Sequence, residues 1–239
     1  MLIGRFLEFA IPTERPLESL EFYRQLGFKV ATDTGADVSS QVVVSDGRLS
    51  IALCDRRTTQ PTLVFVCPGF SSRIDQFERA GLIVDDAVIG EHTFNRLDGH
   101  IQNGPHLRLV EARTHSPVRQ QHSLLGWFED ISLVSHLRDM SVLEALGFVA
   151  LPSQGVFGDG LTFTSDAITL SVYSSVGSSS IWLTFDCDDL GGLRSALARR
   201  GVDEDYDLAG HLDRDHHLIV KAPEGMALLA KKSDYTTRE

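Results

Sequence analysis

The chain is poor in cysteine, tryptophan and basic residues, and it contains no long apolar run. Only three cysteines occur in 239 residues. Cys54, Cys67 and Cys187 are widely spaced and lie in apolar stretches, which argues against a disulfide framework or a cysteine-rich zinc site. They read as reduced, buried thiols of a cytoplasmic protein. Lys and Arg number 22 against 33 Asp and Glu, a formal net charge of -11. Nucleic acid and anionic membrane surfaces both demand basic patches, so neither is an expected partner. No stretch of about 18 apolar residues is available for a membrane-spanning helix. The N-terminus opens on strand-like sequence rather than a signal peptide. No His-x-x-x-His pair falls on an expected helix, and the glycine-rich pieces lack the strand-to-helix context of a phosphate loop.

What is present is a repeat. A helix-like run ending in Gly plus an apolar residue occurs at Gly27-Phe28, Gly81-Leu82, Gly147-Phe148 and Gly201-Val202. The first and third glycines are 120 residues apart, as are the second and fourth, and the period within each half is 54. Such self-similarity fixes the fold before any single residue does. Hydrophobic content of 42% with 23% charged residues is ordinary for a globular chain, and the length suits one or two domains.

Each repeat reads as strand, helix, then further strands. In the first, residues 5–11 are strand-like and Pro16 suits the first turn of a helix. Leu17, Leu20, Tyr23 and Leu26 mark the buried helix face, and Gly27 stops it. Strand candidates follow at 29–32, 41–45 and 49–53, the last two joined by the turn signal Asp46-Gly47. The second repeat reads as a strand at 62–67, a helix at 71–80 and a closing strand at 106–111. The third offers strands at 131–134, 161–164 and 168–173 around a helix at 141–146. The fourth has a strand at 181–187, a helix at 190–200 and a closing region at 218–230. The polar stretch 113–121, with Pro117, is the natural linker. The serine-rich stretch 174–180 reads as a flexible loop.

Phe6-Leu-Glu-Phe-Ala-Ile-Pro12, followed by Ser19-Leu-Glu-Phe-Tyr-Arg-Gln-Leu-Gly-Phe28, resembles the opening of the vicinal oxygen chelate superfamily. That group includes glyoxalase, bleomycin-resistance and extradiol dioxygenase proteins. Ala222-Pro-Glu-Gly225 is similar to the turn before the last strand in many members. The resemblance implies an α+β fold of four βαβββ modules paired into two tandem glyoxalase-like domains. Each domain would be an eight-stranded cup with helices outside. The division is 1–115 (modules 1–58 and 59–115) and 122–239 (modules 122–176 and 177–239).

Strand alternation then sorts side chains into helix-facing and cup-facing sets. In the first cup the positions that hold metal in metal-using members read Glu8, Thr62 and Arg108. A guanidinium repels a cation, so Glu8 and Arg108 could pair or jointly grip a polar ligand. In the second cup the corresponding residues are Asp130 and Trp182, with Leu228 or Leu229 on the closing strand. Trp182 could stack on a planar ligand or simply fill the cup. His217 would face inward toward Asp130, unless the acidic stretch before it is a solvated loop. Most of the remaining histidines, His100 among them, read as surface or rim residues, while His106 faces the cavity side if the register runs uninterrupted after Pro105. These residues imply no metal and no cofactor. The expected function is binding of a small-molecule ligand in one or both cups, by a monomer or homodimer. The alternative is a metal-dependent lyase, isomerase or dioxygenase of the glyoxalase type.

Overall fold

A computed structural model describes residues 2–31, 41–54, 59–116, 118, 122–135, 141–152, 156–157, 160–165, 168–174, 180–208 and 212–233. Pro117, His136, His211 and most of the serine-rich stretch (175–179) lie outside the described residues. The first module comprises β1 (Arg5–Pro12), α1 (Pro16–Gln25), β2 (Lys29–Val30), β3 (Gln41–Ser45) and β4 (Ser50–Cys54). The second comprises β5 (Thr62–Val66), α2 (Ile74–Arg79), β6 (Leu82–Val88), β7 (Arg96–Ile101) and β8 (His106–Val110). In the second half, β9 (Trp127–Val134), α3 (Ser141–Ala145), β10 (Val149–Leu151), β11 (Leu161–Ser165) and β12 (Ile168–Tyr173) precede a shorter last module. That module is β13 (Ile181–Cys187), α4 (Leu190–Arg199), β14 (His217–Lys221) and β15 (Ala227–Lys232).

The strands form two sheets, one per half, in the orders β2-β3-β4-β1-β5-β8-β7-β6 and β10-β11-β12-β9-β13-β15-β14. In each sheet the first strands of the two modules, β1 with β5 and β9 with β13, lie antiparallel at the centre. The four repeat glycines all have left-handed backbones, with φ of 93°, 97°, 102° and 71°. A residue with a Cβ is disfavoured there, which explains why glycine ends each helix. β6 and β7 are the two middle strands that the βαβββ pattern requires of the second module, where only the first and closing strands had been given bounds.

The second sheet has seven strands among the described residues, not eight. Residues 203–208, where β6 has its counterpart, are largely acidic and lack period-two alternation. Part of that segment turns into a 3-10 helix at Tyr206–Leu208. One backbone bond remains beside β14, from Asp205 N–H to the Ile219 carbonyl at 2.8 Å.

One apolar core runs through both halves. The helix-facing sides of the two sheets share it: Phe28 meets Phe185 edge-on, with centroids 6.5 Å apart, and Phe65 meets Phe148 at 6.1 Å. Backbone bonds cross between the halves from Ile3 N–H to Leu146 O and from Leu124 N–H to Leu26 O. On α1, Ser19 and Tyr23 both donate to Glu224, in the turn the sequence singled out, so that turn fastens the first module to the fourth. The three cysteines are buried thiols outside any disulfide. Among the described residues no helix is long and apolar enough to cross a membrane.

Candidate functional site

The central strands β1 and β9 are both interrupted by a β-bulge. Pairing shifts between Phe6 and Glu8 in β1, and between Phe128 and Asp130 opposite Thr184/Phe185 in β9. A bulge places an extra residue on one strand and re-aims its neighbours. Glu8 and Asp130 therefore occupy equivalent places on the cup faces of the two sheets, and both are buried.

Register fixes what faces each of them. Glu8 stands opposite Val64, which stands opposite Arg108. Thr62 lies one step along, between Ala10 and His106, and its hydroxyl donates to the Gln60 carbonyl at 2.9 Å. Arg108 does not reach Glu8: its guanidinium pairs with Asp98 on the next strand, at 2.5 Å. The expected Glu8–Arg108 pair is thus replaced by two others. The partner of Glu8 is His115 in the linker, with Nδ1 3.2 Å from Oε2 and both side chains buried. This is close enough for ion pairing, although that oxygen lacks an aligned hydrogen bond. Ala10, Val43, Ala52, Val64 and Val110 fill the cup face beside it, and Val118 of the linker packs on them. Among the described residues, these side chains fill the first cup around Glu8.

The second cup is open. A cavity of about 270 Å³ is lined by Asp130, Ser132, Thr162, Ser171, Tyr173 and Thr184, among others. Leu151, Pro152, Val156 and Phe157 supply its apolar wall. Asp130 Oδ2 accepts from Ser132 at 3.2 Å, whereas its buried Oδ1 has no partner. The Tyr173 hydroxyl sits near Ser132 and Ser171 without a well-formed hydrogen bond. Burial, and then the Asp130 charge, push the Tyr173 phenol above its ordinary range, so it keeps a proton to donate. At the cavity edge Glu129 is neutralised by Lys231, at 2.6 Å.

Trp182 and His217 do not line this cavity. Trp182 faces Ser132 and Ala227 in register rather than Asp130, is fully buried, and lies under Phe157 with ring centroids 4.8 Å apart. His217 is opposite Lys231 on β14, and its Nδ1 lies 3.0 Å from the Asp213 carbonyl. Sequence reasoning did not single out Ser132, Thr162, Ser171 and Tyr173, which complete the site and carry no formal charge. Alternation along β11 and β12 carried the signal.

The register also sets which residues occupy the fold's metal positions. In the second sheet Asp130, Thr184 and Leu229 stand in one row, which offers a carboxylate, a hydroxyl and a hydrocarbon. In the first the row is Glu8, Val64 and Arg108. Neither donor set fits a divalent ion, which needs several converging imidazole or carboxylate ligands.

With three βαβββ units, a fourth that is one strand shorter among the described residues, paired sheets and tandem halves, the chain has the fold of the vicinal oxygen chelate superfamily. Solved structures with this arrangement include a variant of homoprotocatechuate 2,3-dioxygenase from B. fuscum (TM-score 0.66, 13% identity, covering 98% of this chain and 72% of that one). The 2,3-dioxygenase LapB from Pseudomonas sp. KL28 matches with TM-score 0.62 and 13% identity, over 100% of this chain and 97% of that one. A catechol 2,3-dioxygenase matches with TM-score 0.62 and 14% identity, over 98% and 89%. At these identities the likeness is one of fold. No protein-family model matches the chain, and neither does any curated protein sequence.

Proposed function

We propose that the protein binds a small molecule in its second cup, and that the ligand presents a hydrogen-bond donor, an amine or a hydroxyl, to Asp130. The observation that carries this is the buried, partnerless Oδ1 of Asp130 at the edge of an open cavity. A buried polar atom without a partner costs about 1–3 kcal/mol, and a ligand donor recovers that cost. The apolar wall at Leu151, Val156 and Phe157 favours a ligand with a flat or aliphatic body. The Glu129–Lys231 pair leaves Asp130 as the unmatched charge of the cavity.

Benzylamine, phenol and benzoate separate donor from acceptor head groups on one ring. Calorimetric titration is expected to show benzylamine binding most tightly and benzoate not at all. Asp130→Asn should weaken benzylamine at least about tenfold, the worth of a hydrogen bond to a charged group. Equal binding of benzylamine and benzoate, or no effect of Asp130→Asn, would overturn the proposal.

A second reading, a metal-dependent lyase, isomerase or dioxygenase, draws on the fold likeness. One matched structure is homoprotocatechuate 2,3-dioxygenase in complex with 3,4-dihydroxyphenylacetate. The Asp130–Thr184–Leu229 row does not supply the ligands such a centre needs, so the binding reading is preferred. Oxygen consumption with catechol after addition of ferrous iron would promote the second reading; binding of catechol without turnover supports the first.

A further inference from the structure

A carboxyl group and two imidazoles meet on the first sheet, outside the rows just described. β7 and β8 are antiparallel and place His100 opposite His106. Directly opposed side chains on such strands have Cβ atoms about 5 Å apart, and these two rings have centroids 5.4 Å apart. β6 runs beside β7 with a bulge between Val84 and Asp86. The extra residue is Asp85, and its two carboxylate oxygens lie 3.0 and 2.9 Å from His100 Nδ1. One ligand atom from each of Asp85, His100 and His106 lies within 4.8 Å of the other two.

The surroundings leave the three free to act together. Arg96 is held by Asp86 and Asp98, at 3.0 and 3.1 Å, and Arg108 by Asp98, so neighbouring cations are neutralised. None of the three side chains belongs to the core, and His106 also lines a groove of about 300 Å³ with Pro61, Asn103, Leu133 and Ile181. An ion can therefore enter from solvent.

We propose that Asp85, His100 and His106 bind one divalent transition-metal ion of the zinc type, with water completing its coordination. Two imidazoles and a carboxylate suit zinc and its neighbours, whereas calcium and magnesium take oxygen ligands. Zinc–ligand bonds of 2.0–2.1 Å in a tetrahedron set ligand atoms roughly 3.4 Å apart. Rotation of half-exposed side chains closes the observed separation to that value. The site shares no residue with the second cup, and the sequence hides it because only cross-strand pairing and a bulge bring the three together.

The test is calorimetric titration of zinc chloride into the full chain, in a buffer that does not chelate. One saturable zinc per chain is expected. His100→Ala and His106→Ala should each lower the affinity by roughly 100-fold and Asp85→Asn by roughly tenfold, at and above the effect of losing a group that orients a ligand. His216→Ala, which removes an exposed imidazole elsewhere, should change nothing. Zinc should also raise the Tm of the parent chain and leave that of His100→Ala in place. Far-ultraviolet circular dichroism checks folding, and His106→Gln replaces His106→Ala if the latter misfolds. No saturable binding, or binding equally tight in the His100 and His106 variants, would overturn the site.

Discussion

Glu8 and Asp130 sit at the same bulge in two copies of one sheet, yet one is sealed and the other faces a cavity. The difference comes from what reaches each cup. The linker after β8 turns back over the first cup, sets His115 against Glu8 and lays Val118 on a floor of alanine and valine. The second cup has hydroxyl-bearing residues on its floor instead, and Phe157 covers Trp182 rather than Asp130. Duplication thus kept the scaffold and the carboxylate while letting the filling diverge, which is why fold likeness alone does not reveal the chemistry of either cup.

Substitutions can break or sharpen this contrast. The largest effect is expected at Trp182, which is fully buried beneath Phe157. Trp182→Ala should cost about 3–5 kcal/mol in urea-induced unfolding, the range for truncating a buried large aromatic. A change below about 1 kcal/mol would show instead that Trp182 lines the site. Next comes His115→Ala, which strips a buried carboxyl of its partner and opens the plug. It should cost about 3 kcal/mol, measured in the same way, and a negligible change would mean that the first cup is not sealed by this contact.

Tyr23→Phe should be smaller, about 1–2 kcal/mol, for one buried hydrogen bond to Glu224. It also has a pH signature. Burial, then Glu224, raise the Tyr23 phenol well above its ordinary value. The folded state therefore holds its proton where the unfolded chain has lost it. This stabilisation is complete below about pH 10 and is lost as pH rises through the folded value. Unfolding free energies at neutral and alkaline pH should diverge in the parent chain and less so in Tyr23→Phe. The smallest effect on stability belongs to Asp130→Asn, under about 1 kcal/mol, because its free oxygen has no partner to lose. Its consequence is for binding.

The four helix-stopping glycines, the alternation of Phe9 and Ile11 with Glu8 and Ala10, and the Ala222–Gly225 turn made the tandem architecture legible. The seventh-strand ending of the second sheet was not, although the acidic run 203–207 with no alternation pointed that way. Registers across strands were harder. Thr62 stands opposite Ala10 and Trp182 opposite Ser132, each one same-face step from the carboxylate it was aligned with, because strand parity alone does not set the stagger between strands. The pairing of Glu8 with His115 depends on the path of a linker, and that of His100 with His106 on a hairpin joining them. Neither leaves a periodic trace in the chain.

The central claim is that the second cup binds and the first does not. It is tested most directly by adding benzylamine to isotopically labelled protein and following assigned backbone amide shifts. Saturable shifts should appear at Asp130, Ser132, Ser171 and Thr184, with Glu8, Val64 and His115 unmoved. Shifts centred on Glu8 and His115, with the second cup silent, would contradict the account.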